Sequence, residues 1–71
     1  MTYLENNDKE IGQRIKKERT LKGLTIAELS ERTGLSIVTL SRIECGKNHA
    51  RLCNLNKIAQ ALNIELKKII K

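Results

Sequence analysis

Cys45, His49 and Cys53 recur at a spacing of four, and Cys and His are the residue types that bind zinc. A structural zinc takes four ligands, and the chain has no other Cys or His. Gly46 also interrupts any helix that would bring the three onto one face. The expectation is therefore inert thiols and no metal. No Ser-His-Asp set, paired-carboxylate cleft or glycine-rich phosphate loop is present, so neither catalysis nor a cofactor is expected.

The chemistry that does stand out is cationic and hydrogen-bonding. Lys47, Asn48, His49 and Arg51 form a polar, basic loop. Just before it, Ser36, Ile37, Val38, Thr39, Ser41 and Arg42 mix hydroxyls, β-branched apolar groups and one guanidinium. Such a guanidinium can bond guanine O6/N7 or a phosphate, and apolar tips can meet thymine methyls.

The elements that must position these groups lie over 26–44. Thr25-x-x-Glu28 is a capping box, so a helix should start at Ile26. Gly34 can take the left-handed turn that ends it, and Ser36 can cap the next helix. Leu29 is the apolar residue of the first pattern, flanked by small Ala27 and Ser30. Leu40 and Ile43 take the core face of the second, and Leu35 lies in the turn. Two short helices joined this way read as a helix-turn-helix, whose second helix is built to enter a DNA major groove.

Asn7-x-x-Glu10 predicts the cap of a first helix running to about Lys22, with Ile11, Ile15 and Leu21 inward. Gly23 should end it, with Leu24 anchoring the turn. Residues 1–7 read as a flexible arm, although Tyr3 and Leu4 could dock on a neighbouring surface. Cys45-Gly46 should close the second motif helix. Leu52, Leu55, Ile58, Ala59 and Leu62 fall at helical spacing, with Asn63 as the stop. Ile64, Leu66, Ile69 and Ile70 predict a short fifth helix. The expected fold is all-α, a compact five-helix bundle over 8–71.

The chain has 71 residues, 14 Lys+Arg and 8 Asp+Glu, for a net charge of +6. One small domain with that balance suits an anionic partner, above all nucleic acid. Its single aromatic, Tyr3, argues against the stacking platforms that bind single strands or RNA. No apolar run reaches the ~20 residues of a membrane span. The acidic, amide-rich start does not read as a signal peptide, so reduced thiols in a cytoplasm are expected.

Taken in order, the pieces resemble the lambda-repressor-like helix-turn-helix family, the Cro/C1 or XRE type. They are Ile-Gly-x-Arg-Ile-x-x-x-Arg (11–19), Gly-Leu-Thr (23–25), Glu-Leu-Ser (28–30) and Thr-Gly-Leu-Ser (33–36). Leu-Ser-Arg-Ile-Glu-x-Gly (40–46) and Ile-Ala-x-Ala-Leu (58–62) complete the set. The resemblance covers nearly the whole domain. It implies a transcription regulator, commonly a repressor, that binds two-fold double-stranded DNA operators as a homodimer. Ser36, Ile37, Val38, Thr39 and Arg42 would then face bases. Thr25, Ile26, Ser41, Lys47, Asn48, His49 and Arg51 would face phosphates. Arg19 and Glu44 fall on inward faces, where charges need partners, and the family pairs these positions. Three positions depart from the pattern: Ile26 stands where Gln is usual, Ala50-Arg51 where Pro-Ser is common, and Glu18 where Leu is frequent.

Ile64, Leu66, Ile69 and Ile70 exceed what so small a core should absorb, which predicts an isologous dimer interface there. No small-molecule effector is evident. A second reading is a protein-interaction or antitoxin-like module of the same fold, with DNA binding secondary. Exposed Ile37 and Val38 would suit it equally.

Overall fold

The computed structural model describes the backbone over residues 3–70 and side chains over residues 8–70. It is all-helical across that span. The order is α1 (Tyr3–Leu21), α2 (Ile26–Thr33), α3 (Ile37–Glu44), α4 (Leu52–Leu62) and a three-residue 3₁₀ turn (Leu66–Lys68).

The first helix begins at Tyr3, ahead of Asn7. Residues 4–7 contain no Gly or Pro to stop a helix, so the Asn7 signal does not start one. The arm expected over 1–7 falls on Met1 and Thr2, outside the described backbone, and on side chains outside the described residues. Ile15 is wholly buried, whereas Leu21 is exposed. Six residues on from Ile15, a helix has turned about 240° beyond whole turns, which carries Leu21 off the inward face.

Local chemistry sets the ends of α2 and α3. The Thr25 hydroxyl accepts from the Glu28 amide at 3.1 Å, and the Glu28 carboxylate accepts from the Thr25 amide at 2.8 Å. The bond from the Thr25 amide, with the Thr25 hydroxyl beside it, holds the Glu28 carboxyl below the usual carboxylate range. Gly34 ends α2 at φ 79°. Ser36 Oγ accepts from the Thr39 amide at 3.0 Å and starts α3. After α3, the Gly46 amide bonds Ile43 O at 3.0 Å and the Lys47 amide bonds Arg42 O at 2.9 Å. That paired pattern, with Gly46 at φ 74°, is a Schellman cap. Asn63, at φ 57°, closes α4 in the same way, through Asn63 N–H to Gln60 O and Ile64 N–H to Ala59 O.

The core joins all of these elements. Ile15, Leu29, Leu40, Ile43, Leu55, Ile58, Ala59, Leu62 and Ile69 are buried together. Each fully buried aliphatic side chain stabilises by about 1.5–3 kcal/mol.

The fifth helix expected over 64–70 is instead the 3₁₀ turn. The Lys68 and Ile69 amides bond Glu65 O and Leu66 O three residues back, and Glu65 gives no side-chain cap. The tighter turn drops Ile69 into the core, and burial of that side chain, not local propensity, sets the winding here. Ile69, expected at a surface between protomers, is therefore fully buried within one chain. Ile64, Leu66 and Ile70 pack half-buried around that core. Among the described residues, no helix is long and apolar enough to cross a membrane.

Candidate nucleic-acid interface

Leu40 and Ile43 face inward from α3, so helical geometry turns the intervening positions outward. Ser36, Ile37, Val38, Ser41 and Arg42 are exposed, and Thr39 is half-buried. Ile37 is 46% and Val38 62% accessible. Two β-branched apolar side chains thus stand in water at the helix tip. Beside them the Ser36 hydroxyl donates to Thr39 Oγ1 at 2.9 Å, which holds Thr39 toward the cap. Arg42 is the cation one turn further along this edge.

The opposite end of α3 is anchored. Arg19 Nε donates to Glu44 Oε2 at 2.7 Å, and Nη2 donates to Oε1 at 3.0 Å. The same guanidinium donates through Nη1 to Leu24 O at 2.8 Å. The side chains are 12% and 6% accessible. The bond to Glu44 raises the affinity of Arg19 for its proton, against the opposing effect of burial. Two of the three bonds form the parallel fork that guanidinium and carboxylate favour.

A glycine makes this anchorage possible. Gly12 lies in α1 against the last carbonyls of α3, and a Cβ there would come within 2.6 Å of Glu44 O. On the far side of the crossing, a Cβ at Gly46 would meet Lys9 Cα at 2.9 Å. Both helices therefore approach through bare backbone. The family-like motif over 11–19 contains Gly12, but its role depends on α3 and is not visible in that motif alone. The available signal was a glycine inside a helix, which costs about 1 kcal/mol unless packing requires it.

The loop over 47–51 follows directly. Lys47, His49 and Arg51 are exposed, and Asn48 is half-buried. Among the described residues, Arg42, Lys47 and Arg51 have no carboxylate partner. His49 does: its Nδ1 lies 2.9 Å from Asp8 Oδ1, across 41 residues of sequence. Sequence reading singled out His49 but not Asp8.

At the start of α2, the amide and hydroxyl of Thr25 are both used in the capping box. The amides of Ile26 and Ala27 are then the donors left at that helix end. Ile26 itself packs partly on the core, which is what an apolar residue does at this position. Cys45 and Cys53 are exposed thiols. Among the described residues, no group of three His, Cys, Asp or Glu is placed to hold a metal.

The described residues make two short helices set at a tight turn, one with an exposed outward edge, flanked by Lys47 and Arg51, which have no carboxylate partner among them. The HTH_3 family, described as Helix-turn-helix, matches residues 15–69. No curated protein sequence matches the chain. Among solved structures, the restriction-modification controller protein C.AhdI from Aeromonas hydrophila is similar at 34% identity and TM-score 0.85. That match covers 87% of this chain and 94% of that one. An HTH_3 family transcriptional regulator from Vibrio cholerae is similar at 26% identity and TM-score 0.88, over 93% of this chain and 37% of that one. The clp gene regulator ClgR from C. glutamicum is similar at 25% identity and TM-score 0.86, over 90% and 83%. From the match over 15–69 and the fold it shares with these regulators, the chain belongs to the Cro/C1-type helix-turn-helix family of DNA-binding regulators.

Proposed function

We propose that this protein is a transcriptional repressor that binds two-fold operators in double-stranded DNA as a homodimer in the cytoplasm. The observation that carries the reading is the exposed outward edge of α3 along Ile37, Val38 and Arg42, bordered by Lys47 and Arg51, which have no carboxylate partner among the described residues. In the major groove, Ser36, Ile37, Val38, Thr39 and Arg42 read base edges. Ser41, Lys47, Asn48, His49, Arg51 and the α2 start at Thr25 and Ile26 lie along phosphates. The similarity to a restriction-modification controller, which covers nearly all of that chain, supports a regulatory role.

Ile64, Leu66 and Ile70 form the pairing face, with Ile69 supporting it from the core. Half-sites then fall roughly 34 Å apart, one turn of DNA.

The test is a gel shift of the duplex upstream of its own gene, with non-specific competitor DNA, beside sedimentation of protein and complex. A band that survives competition at the mass of two chains supports the proposal. A protein that binds neither specific nor random duplex overturns it. Exposed Ile37 and Val38 then belong to a protein partner, as in an antitoxin-like module.

A further inference from the structure

We infer that Asp8 and His49 form a phosphate clamp that takes up a proton when DNA binds, with Asp8 as the positioning residue. The inference rests on the DNA reading above.

The geometry comes first. His49 Nδ1 lies 2.9 Å from Asp8 Oδ1. The Asp8 side chain is 21% accessible and that of His49 66%, so the carboxylate is tucked in and the ring stands out. The two nitrogens of an imidazole lie on diverging edges. With Nδ1 on Asp8, Nε2 points away from the carboxylate.

The backbones that carry the two side chains are held together. Helix α1 is pinned beneath the loop by Lys9 against Gly46 and by Gly12 against the end of α3. These bare-backbone contacts fix the register of Asp8 relative to the loop.

The chemistry follows. A neutral ring that donates Nδ1–H to Asp8 presents a lone pair at Nε2. A lone pair repels a phosphate oxygen. Protonated imidazole donates at both edges, to Asp8 on one side and to phosphate on the other. Two anions then flank one cation, and the bound state holds one proton more than the unbound state. Among the described residues, the other ionisable groups around the loop are Lys9 on α1, Lys47 and Arg51 in the loop, and the exposed thiols of Cys45 and Cys53. Glu44, at the end of α3, is engaged by Arg19. Asp8 is the carboxylate bonded to the imidazole.

The sign is fixed. Affinity rises as pH falls, because the complex binds the extra proton. Imidazoles change charge between about pH 5 and 8, and one proton caps the slope at about tenfold per pH unit.

The experiment measures fluorescence anisotropy on a random-sequence duplex and on the upstream duplex, from pH 7.5 to 5.5 at constant ionic strength. Wild-type affinity should rise about five- to tenfold over that range. His49→Gln, which keeps a donor but cannot titrate, should flatten the profile. Asp8→Asn, which removes the carboxylate facing Nδ1, should weaken the gain in affinity at low pH. Helical circular dichroism at each pH confirms that the variants are folded. Equal slopes for wild type and His49→Gln overturn the clamp. A wild-type profile in Asp8→Asn overturns the role of Asp8. A wild type that binds no duplex at any pH instead overturns the DNA reading, and the clamp with it.

Discussion

The two ends of α3 are built on opposite plans. At Glu44 the helix is buried, bonded twice to Arg19, pressed backbone-to-backbone on Gly12 and closed by a Schellman turn. At its start Ile37 and Val38 are exposed beside the Ser36 cap. The buried ion pair and the close backbone contact lie at the end away from the proposed reading edge. The contrast shows how eight residues can be held firmly while most of their outward surface stays available to a partner. A short isolated helix is unstable in water; this one is stabilised from its far end and along Leu40 and Ile43.

The largest effect that would break this contrast lies at the anchored end. Glu44→Ala leaves the Arg19 guanidinium in its site without its carboxylate, which costs roughly 3–5 kcal/mol. Urea unfolding measures it, and Glu44→Gln gives a milder version in case the alanine variant does not fold. A loss under about 1 kcal/mol, the usual value of an exposed pair, would make the two ends alike.

Gly12→Ala sharpens the comparison by its sign. In an ordinary helix interior this change stabilises by about 0.8–1 kcal/mol. Here the new methyl meets the α3 carbonyls, so a loss of about 1–3 kcal/mol is expected. Thermal melts decide it, and any gain in stability would mean that α1 does not approach α3 through bare backbone.

The smallest effect belongs to the bare end. Ile37→Ala should change folding stability by no more than about 0.5 kcal/mol. Its effect appears on DNA. Replacing the contacted thymine by uracil removes one methyl, worth ~0.8 kcal/mol or about fourfold in affinity. In Ile37→Ala the thymine and uracil duplexes should bind nearly equally. A wild-type protein indifferent to uracil at every half-site position would remove Ile37 from the reading edge.

What could be read from the sequence divides along similar lines. Capping signals act over three or four residues, so Thr25, Glu28, Gly34 and Ser36 located α2 and α3 correctly. The apolar periodicity of α4 is strong because Leu55, Ile58, Ala59 and Leu62 all face one core. The C-terminal stretch misled, because four apolar residues in seven fit a helix and a 3₁₀ turn equally well. Only tertiary packing decides that Ile69 goes inward. Asp8 with His49, and Arg14 with Ile69 O at 3.4 Å, join residues 41 and 55 apart, and no local pattern encodes either contact. Arg19 and Glu44 were legible because a charge on an inward face requires a partner, and the family resemblance paired these two positions.

The third bond of Arg19, to Leu24 O, carries a consequence for how such a protein would meet DNA. Leu24 immediately precedes the Thr25 cap of α2, so one guanidinium fastens both the entrance to α2 and the exit of α3. The spacing between the amides that open α2 and the edge that α3 presents is thereby fixed, like the jaws of a gauge. A gauge does not adjust to the object it measures. A duplex whose groove width or backbone path departs from that gap must itself bend or twist to fit, at a cost that depends on its base sequence. Base pairs that no side chain touches would then count toward recognition.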